Sequence, residues 1–530
     1  MRPPTTAQKV ATVGALTCLL GGALFGCHGT ESRARVEASR EVVPAPGGLS
    51  PLPPLASAKT TAELAFGTPA VRAPGSQDPA WPESLQQLAG ARLGERAAAS
   101  PWKAVVKTPD GKPAPRPGPH PKRISRFVHV TDIHVADDES PARLVQYDRA
   151  EMTTAAMRPQ EGYGCRLLLA AVRTIRALHD QDALQLVLLG GDTIDSAQDN
   201  ELGWALDVIG GSSRVECDSG TDDDPVAGPD NDPKDPFASA GVGAPSLWVT
   251  GNHDVTVQGN FPVDAAQRAR ALGSDASAGT RNYQKPGAPA ETGAFVVPDS
   301  RRALLSRREL LARVKAHDGG HGIGAHEVEV ERATYAWDPP GSAVRIVVLD
   351  TAHAAGGASG VLTRRDVDTL IRPLLDAALA EQKIVILAAH HGVGALSREG
   401  GTFGTPEPDA VLEGEWLDVL AAYPNVVASF VGHSHRHGIR SLRAGSRALW
   451  EITTGALVDY PNQLRLVELF DEDNGWLSLR ATTVDVATEG DPLGEEARRR
   501  AQIDFVAGWQ PDGRGPSDQR NVVLWMKKPR

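Results

Sequence analysis

The chain has 530 residues, of which 41% are hydrophobic, enough for one large core or two smaller ones. Its formal net charge is -11, so the broad positive surface that binds nucleic-acid backbones is not expected. The acidic balance does not exclude phosphate-containing substrates, because a bound metal ion dominates the field within its own site.

The first 27 residues predict an export signal. Arg2 and Lys9 form a weakly basic start, and residues 10–25 form an apolar run too short for a confident membrane span. Leu24-Phe25-Gly26-Cys27 resembles a bacterial lipobox, in which the cysteine becomes the lipidated first residue. An ordinary signal peptide or an uncleaved anchor is the alternative, and in each case the mature chain is exported. We expect a lipoprotein anchored through Cys27 at the periplasmic face or cell surface.

A stretch rich in Pro, Ala and Gly follows, over residues 28–120. Such composition predicts an extended, mostly disordered tether, interrupted by a short helix near residues 81–99. The catalytic domain is predicted at residues 121–487. The charged residues 488–530 are interpreted as a C-terminal extension.

Five apolar, strand-like runs are each followed by side chains of the kinds that bind metal ions. In open α/β sheets, chemistry is found at the carboxyl ends of the strands, and carboxylate with imidazole suits Zn, Fe, Mn or Ni. A Gly-Asp pair alone is more often a turn, but Asp192 is the candidate to bridge two ions. The side chains after the five runs are Asp132 and His134; Asp192; Asn252, His253 and Asp254; His390 and His391; and His433 and His435.

In this order, the series D-x-H, G-D, G-N-H-D, H and G-H-x-H resembles the calcineurin-like metallophosphoesterase superfamily, over residues 126–468. Each motif is weak alone, whereas five in the right order, each after a strand, form a strong pattern. The resemblance implies an α/β fold, a four-layer sandwich of two mixed β-sheets flanked by helices, with a dinuclear metal centre between the sheets. It implies hydrolysis of phosphomonoesters or phosphodiesters, in which two ions activate a bound water and clamp phosphoryl oxygens.

The resemblance also implies a ligand set for two divalent or trivalent ions of Fe, Mn, Zn or Ni. The first ion would be bound by Asp132, His134, Asp192 and His435. The second ion would be bound by Asp192, Asn252, His390 and His433. His390 is preferred to His391, because in the family the first histidine after the strand is the ligand. His391 would then contact the substrate or lie behind the ligands.

His253 is implied to face the substrate and protonate the leaving oxygen, with Asp254 fixing its tautomer. The alternative is a buried structural histidine. Asp195, Asn200 and Asp459 are possible supporting groups, although caps and turns are the commoner roles of such residues.

The remaining elements complete the predicted sandwich. Helices are expected at residues 165–179, at 363–379 with an interruption at Pro373, and at 412–423. Strands are expected at residues 344–349, and at 449–453, 465–469 and 476–484, where they complete the second sheet.

Two features are left open. Cys165 and Cys217, the cysteines outside the signal, either pair or are two buried thiols. The acidic insertion at residues 217–240 is interpreted as a solvated loop or lid, since its spacing matches no EF-hand.

Two other functions remain as alternatives. A nuclease would need a basic track with stacking aromatic residues, but aromatics are only 5% of the chain, so nucleic acid is an unlikely partner. The second alternative is a non-catalytic, metal-bound surface module that binds phosphate, against which the pair His253 and Asp254 argues. The substrate and the oligomeric state are not predicted.

The lipobox can be tested directly. Cys27→Ser should abolish lipidation and release the protein from membranes, because it removes the acceptor sulfur. Detergent phase separation measures the partition, and an unchanged membrane fraction would contradict the assignment.

Overall fold

The computed structural model describes residues 49–70, 78–80, 82–144, 158–220, 233–275, 280–281, 290–291, 295–317 and 319–529. Cys27 and residues 221–232 of the acidic insertion lie outside these residues. No helix in the described part of the chain is long and apolar enough to cross a membrane.

Two mixed sheets organise the fold. Their strands, in chain order, are β1 Val105–Lys107, β2 Lys122–Val130, β3 Leu186–Leu189, β4 Ser246–Trp248, β5 Tyr335–Trp337, β6 Val344–Leu349, β7 Ile384–Ala389, β8 Val426–Val431, β9 Gly438–Ala444, β10 Arg447–Thr453, β11 Gln463–Asp471, β12 Trp476–Asp485 and β13 Val522–Lys527. The seven-stranded sheet has the order β1-β13-β12-β11-β2-β3-β4, and the six-stranded sheet has the order β5-β6-β7-β8-β10-β9.

Short two-stranded pairs lie outside the large sheets. These pairs are Ala65–Phe66 with Ala98–Ala99, Ser212–Val215 with Phe237–Ser239, Thr256–Val257 with Phe261–Pro262, and Thr280–Arg281 with Ala290–Glu291.

The helices of the described residues are α1 Pro82–Gly90, α2 Gly164–Gln181, α3 Asp199–Gly210, α4 Ala265–Ala271, α5 Arg307–Ala316, α6 Ala325–Val330, α7 Arg364–Asp366, α8 Arg372–Ala380, α9 Glu413–Ala421 and α10 Pro492–Val506. A π-helical segment, Val367–Ile371, joins α7 to α8. The helix expected at residues 363–379 is therefore interrupted next to Pro373, whose missing N–H group cannot continue a regular ladder.

The two sheets pack face to face. The rings of Phe127 in β2 and Phe430 in β8 meet edge to face, with centroids 5.2 Å apart. Successive residues of β6 point to opposite faces. Ile346 and Val348 join the core between the sheets, whereas Val347 and Leu349 pack with residues of α8 and α9. The α/β fold of two mixed sheets flanked by helices is thus the one predicted.

Parallel pairing aligns the carboxyl ends of the central strands. In the seven-stranded sheet Val130 pairs with Leu189, and Leu189 pairs with Trp248. In the six-stranded sheet Ala388 pairs with Phe430. The loops that follow these strands therefore meet at a shared edge, where the predicted ligands lie.

Two strands assigned to the second sheet belong to the first. β10 joins the six-stranded sheet as expected, but β11 pairs with β2 and with β12 in the seven-stranded sheet. The alternation of apolar residues shows which side chains of a strand are buried, but not which strand it pairs with. The apolar pattern therefore could not assign these strands to one of the two sheets.

The predicted tether at residues 28–120 and extension at residues 488–530 are wrong in their described parts. Val105 of β1 pairs with Val522 of β13, so both segments supply strands to the large sheet. Leu88 of α1 is buried against Ile503 of α10. The described residues, from 49 onward, consequently belong to one compact unit. The proline-rich segment can supply a strand to the sheet because short edge strands tolerate proline nearby.

Cys165 and Cys217 form a disulfide, with Cα atoms 6.4 Å apart. The bond ties the start of α2 to the segment that leads into the acidic insertion. This settles the alternative that the sequence left open.

The corrected boundary predicts the effect of a truncation. Removing residues 1–107 should lower the melting temperature, because α1 and β1 are lost. Leu88→Ala should cost about 2–5 kcal/mol, the usual range for a buried leucine. Thermal denaturation measures both, and an unchanged melting temperature in the truncated chain would restore the tether interpretation.

Candidate metal centre

The predicted ligands meet at the edge where the two sheets face each other, and several have an unusual backbone. Left-handed φ angles occur at five of them: Asp132 (52°), His134 (49°), Asp192 (51°), His433 (66°) and His435 (55°). Non-glycine residues rarely adopt this conformation, which costs of order 1–3 kcal/mol per residue and clusters at functional sites. The loops are therefore held in shapes that aim side chains inward.

Close approach of the backbone explains two motif glycines. A Cβ atom at Gly251 would clash with Asp192 Oδ1, and a Cβ atom at Gly432 would clash with Thr131 Oγ1. Only glycine lets these loops lie against the carboxylates.

The first-ion side of the centre contains Asp132, His134 and His435, whose ligand atoms lie within 4.8 Å of one another. The Nε2 atoms of His134 and His435 are 3.3 Å apart, and His435 Nε2 is 3.3 Å from Asp132 Oδ1. All three side chains are buried. Asp192 Oδ2 lies 3.9 Å from His134 Nε2, which places the predicted bridging carboxylate beside this group.

The second-ion side is centred on His390. Its Nε2 atom lies 3.0 Å from Asp192 Oδ2 and 3.9 Å from Asp132 Oδ1, while its Nδ1 atom lies 2.9 Å from the carbonyl oxygen of Gly190. The Gly190 contact fixes Nδ1 as the protonated nitrogen and presents Nε2 to the carboxylates. The ring centroids of His433 and His390 are 5.3 Å apart.

Two buried polar atoms fit a role as metal ligands. Asn252 Oδ1 has no hydrogen-bond partner within the described residues, and His390 Nε2 makes no well-aligned hydrogen bond although Asp192 Oδ2 lies 3.0 Å away. Asn252 Nδ2 donates to the Gly259 carbonyl, so the amide oxygen is the end turned to the centre. Leaving such acceptors buried without a partner is costly, and a metal ion is the partner that both can take. Residues of the two groups could thus hold metal ions.

His391 is engaged on both sides of its ring. Nδ1 lies 2.9 Å from Thr351 Oγ1, and Nε2 lies 3.1 Å from the carbonyl oxygen of Ala358. Its ligand atom is nevertheless within 4.8 Å of those of His390 and His433. The contacts favour a supporting position for His391, because its Nε2–H donates to backbone, and its predicted substrate contact stays a prediction.

His253 lies at the open side of the centre. Its side chain is 17% exposed, against 9% or less for Asp132, His134, Asp192, His390 and His435. The ring meets that of His134 edge to face, with centroids 4.4 Å apart. His253 also shares a potential ligand group with His134 and Asp192. The two predictions for His253, that it faces the substrate and that it does not bind metal, therefore need a direct test.

The carboxylate behind His253 is Asp195, and the assignment of Asp254 to this position is wrong. His253 Nδ1 lies 2.9 Å from the backbone oxygen of Asp195 and 3.2 Å from its Oδ1. Asp254 instead accepts four backbone N–H groups, from Asp192, Thr193, Ile194 and Gly251. Its carboxylate therefore joins the Asp192 loop to the Asn252 loop through hydrogen bonds to the backbone of both.

Asp195 and Asp459, named in the sequence only as possible supporting groups, each contact a histidine predicted to bind metal. Asp195 Oδ1 lies 3.0 Å from His134 Nδ1, and Asp459 Oδ2 lies 2.6 Å from His435 Nδ1. A carboxylate that holds the far nitrogen of a ligand histidine fixes its tautomer and raises its basicity. The sequence signal for Asp195 was its spacing of three residues from Asp192, whereas Asp459 had no local signal.

The electrostatics favour positive charge at the centre. Burial disfavours charge on His390, but Asp192 and Asp132 raise its pKa to about 9. Burial likewise opposes ionisation of Asp192, yet His390 and His253 hold its pKa well below the ordinary value. A histidine must lose its proton to bind an ion, so the apparent metal affinity should rise with pH.

Comparisons with known proteins find only distant structural similarities. No family model and no curated protein matches the chain. A dimetal phosphatase from Danio rerio has a TM-score of 0.39 at 13% identity, and the match covers 69% of this chain and 100% of that one. The sulfate thiohydrolase SoxB of Thermus thermophilus, solved with glycerol, has a TM-score of 0.30 at 14% identity, covering 73% and 61%.

A purple acid phosphatase from yellow lupin seeds has a TM-score of 0.27 at 12% identity, covering 73% of this chain and 54% of that one. The chain thus spans less than two thirds of SoxB and of the lupin enzyme. At these TM-scores no functional conclusion is taken from the three structures, and the function is argued from the geometry of the centre.

The ligand assignment predicts different metal losses for neighbouring histidines. His390→Ala should deplete one ion, because Nε2 faces the carboxylates, whereas His391→Ala should keep both ions and mainly raise KM. Asp192→Asn should lose both ions, because its carboxylate lies beside both groups. Metal content by mass spectrometry checks this, and the reverse result for the two histidines would make His391 the ligand.

Proposed function

We propose that the chain is a metal-dependent phosphoesterase, which hydrolyses phosphomonoesters or phosphodiesters at a dinuclear centre. The observation that carries the proposal is the juxtaposition of two ligand groups around Asp192, in which Asn252 Oδ1 has no described hydrogen-bond partner and His390 Nε2 lies 3.0 Å from the Asp192 carboxylate. Ligands of this mixed oxygen and nitrogen character suit Zn, Fe, Mn or Ni. The strand-end motifs and their order support the same chemistry.

Two ions held here would supply an acidified water and a clamp for phosphoryl oxygens. The residues of the chain would position the ions and supply a proton. His253 Nδ1 is held by Asp195, which directs the remaining nitrogen, Nε2, away from that carboxylate. Burial disfavours the charged ring, but Asp192 and Asp195 outweigh burial and raise the pKa of His253. A protonated His253 at the open side is placed to protonate the leaving oxygen.

We propose further that the protein is exported and anchored through Cys27. The apolar signal and lipobox support this location. The disulfide between Cys165 and Cys217 also supports it, since disulfides persist mainly in oxidising compartments.

The experiment is hydrolysis of p-nitrophenyl phosphate and of its bis ester, each with added Mn, Zn, Ni and Fe. We expect metal-dependent turnover that Asp192→Asn abolishes. Turnover of single-stranded DNA or RNA far above that of both esters would favour a nuclease. Two bound ions without any turnover would favour a phosphate-binding module.

His253 provides the sharpest test of the mechanism. If it protonates the leaving oxygen, His253→Ala should retain both ions but lose up to about 10²–10⁴-fold in kcat/KM, the usual range for general acid catalysis. An alkyl phosphate should lose more than a p-nitrophenyl ester, whose phenolate needs little protonation. Activity should show an alkaline limb, because it falls as the His253 ring deprotonates.

Asp195→Asn should shift this limb to lower pH, since it removes a charge that favours the protonated ring. Asp254→Asn is the matched control, because Asp254 has no described contact with the His253 ring. In the fraction of this variant that stays folded, the dependence of kcat/KM on the leaving group should be unchanged. Equal losses for both ester types at full metal content would make His253 a positioning residue, and metal loss would make it a ligand.

A further inference from the structure

A series of buried ion pairs lies behind the first-ion side of the centre. It starts at His134, whose Nδ1 atom is 3.0 Å from Asp195 Oδ1. The other oxygen of Asp195 is 2.8 Å from Arg143 Nη1, and Arg143 Nη2 is 2.8 Å from Glu161 Oε1. Arg143 thus joins the carboxylate that holds His134 to a second, more distant carboxylate.

The same glutamate is reached from the other histidine. His435 Nδ1 is 2.6 Å from Asp459 Oδ2, and Asp459 Oδ1 is 3.1 Å from Arg158 Nε. Arg158 Nη1 is 3.8 Å from Glu161 Oε1. Because the Nε2 atoms of His134 and His435 are 3.3 Å apart, the series closes on itself at the position of the first ion.

Burial makes these contacts strong constraints. The side chains of Asp195, Arg143, Glu161, Arg158 and Asp459 are between 1% and 6% exposed. Separating one member from its partner leaves a buried charge uncompensated, which is strongly destabilising.

We infer that Glu161 is a positioning residue, which sets the geometry of His134 and His435 together by pairing with Arg143 and Arg158. The inference rests on the metal centre of the proposed function. Residues that orient ligand histidines from behind typically contribute 10–100-fold to metal affinity. Glu161 contacts neither histidine, and it acts on the ligands through the two arginines and the two aspartates.

The test is Glu161→Gln, which removes the charge but keeps the size of the side chain. The probe is Zn²⁺, titrated into metal-free full-length protein in competition with a chelator. We expect the affinity for the first ion to fall about 10–100-fold while the second ion is retained. Co²⁺ substitution gives a second readout, since the absorption of the first site should change and that of the second should not.

Glu139→Gln is the matched control. Glu139 is also a buried glutamate, and it pairs with the buried Arg302 at 3.3 Å, with no described contact to His134 or His435. It should lower the melting temperature without selective loss of the first ion. Unchanged affinity in Glu161→Gln, or equal metal loss in both variants, would overturn the inference.

A double-mutant cycle covers the case in which Glu161→Gln does not fold. Asp195→Asn and Asp459→Asn each open the same series, so their combined effect on first-ion affinity should be less than additive. Additive effects would overturn the inference. A wild-type protein that binds two ions but hydrolyses no ester would refute the proposed function alone, because the metal readouts do not depend on turnover.

Discussion

The structure depends on burying two carboxylates close together between its sheets. Asp132 and Asp192 are almost fully buried, and His390 Nε2 lies 3.9 Å and 3.0 Å from their oxygens. Like charges at such range in a low-dielectric interior are unfavourable unless positive charge lies with them. The surrounding histidines provide acceptors for an ion or, when protonated, part of that charge themselves. The arrangement is therefore one that a cation completes.

Holding these groups in place requires backbone that is itself unfavourable. Left-handed φ angles at five ligand positions would relax if the loops were free. Asp254 prevents this at one of the loops, because its carboxylate accepts four backbone N–H groups around Asp192 and Gly251. Its contribution is to the shape of the loop rather than to the proton chemistry.

The sequence predicted the parts of the centre that depend on local pattern. Each ligand directly follows an apolar strand, and parallel pairing then requires the strand ends to share an edge. The resemblance assigned to Asp254 the role that Asp195 takes, since a carboxylate commonly lies behind such an imidazole. In the folded turn the side chain of Asp254 points back to the backbone, and a residue from the preceding motif takes the position behind the ring. Asp459 and Glu161 meet the centre only through long-range folding, which no local signal encodes.

The ligands come from both sheets, which couples metal binding to folding. Asp132, Asp192 and Asn252 follow strands of the seven-stranded sheet, whereas His390, His433 and His435 follow strands of the six-stranded sheet. An ion bound between them would join the two sheets, and the unfolded chain would not present this ligand set. Binding to the folded state alone adds RT ln(1 + [L]/Kd) to its stability, about 2.7 kcal/mol at a hundredfold excess over Kd. The same buried charges, unfavourable without a cation beside them, would then hold the two sheets together through the bound ions.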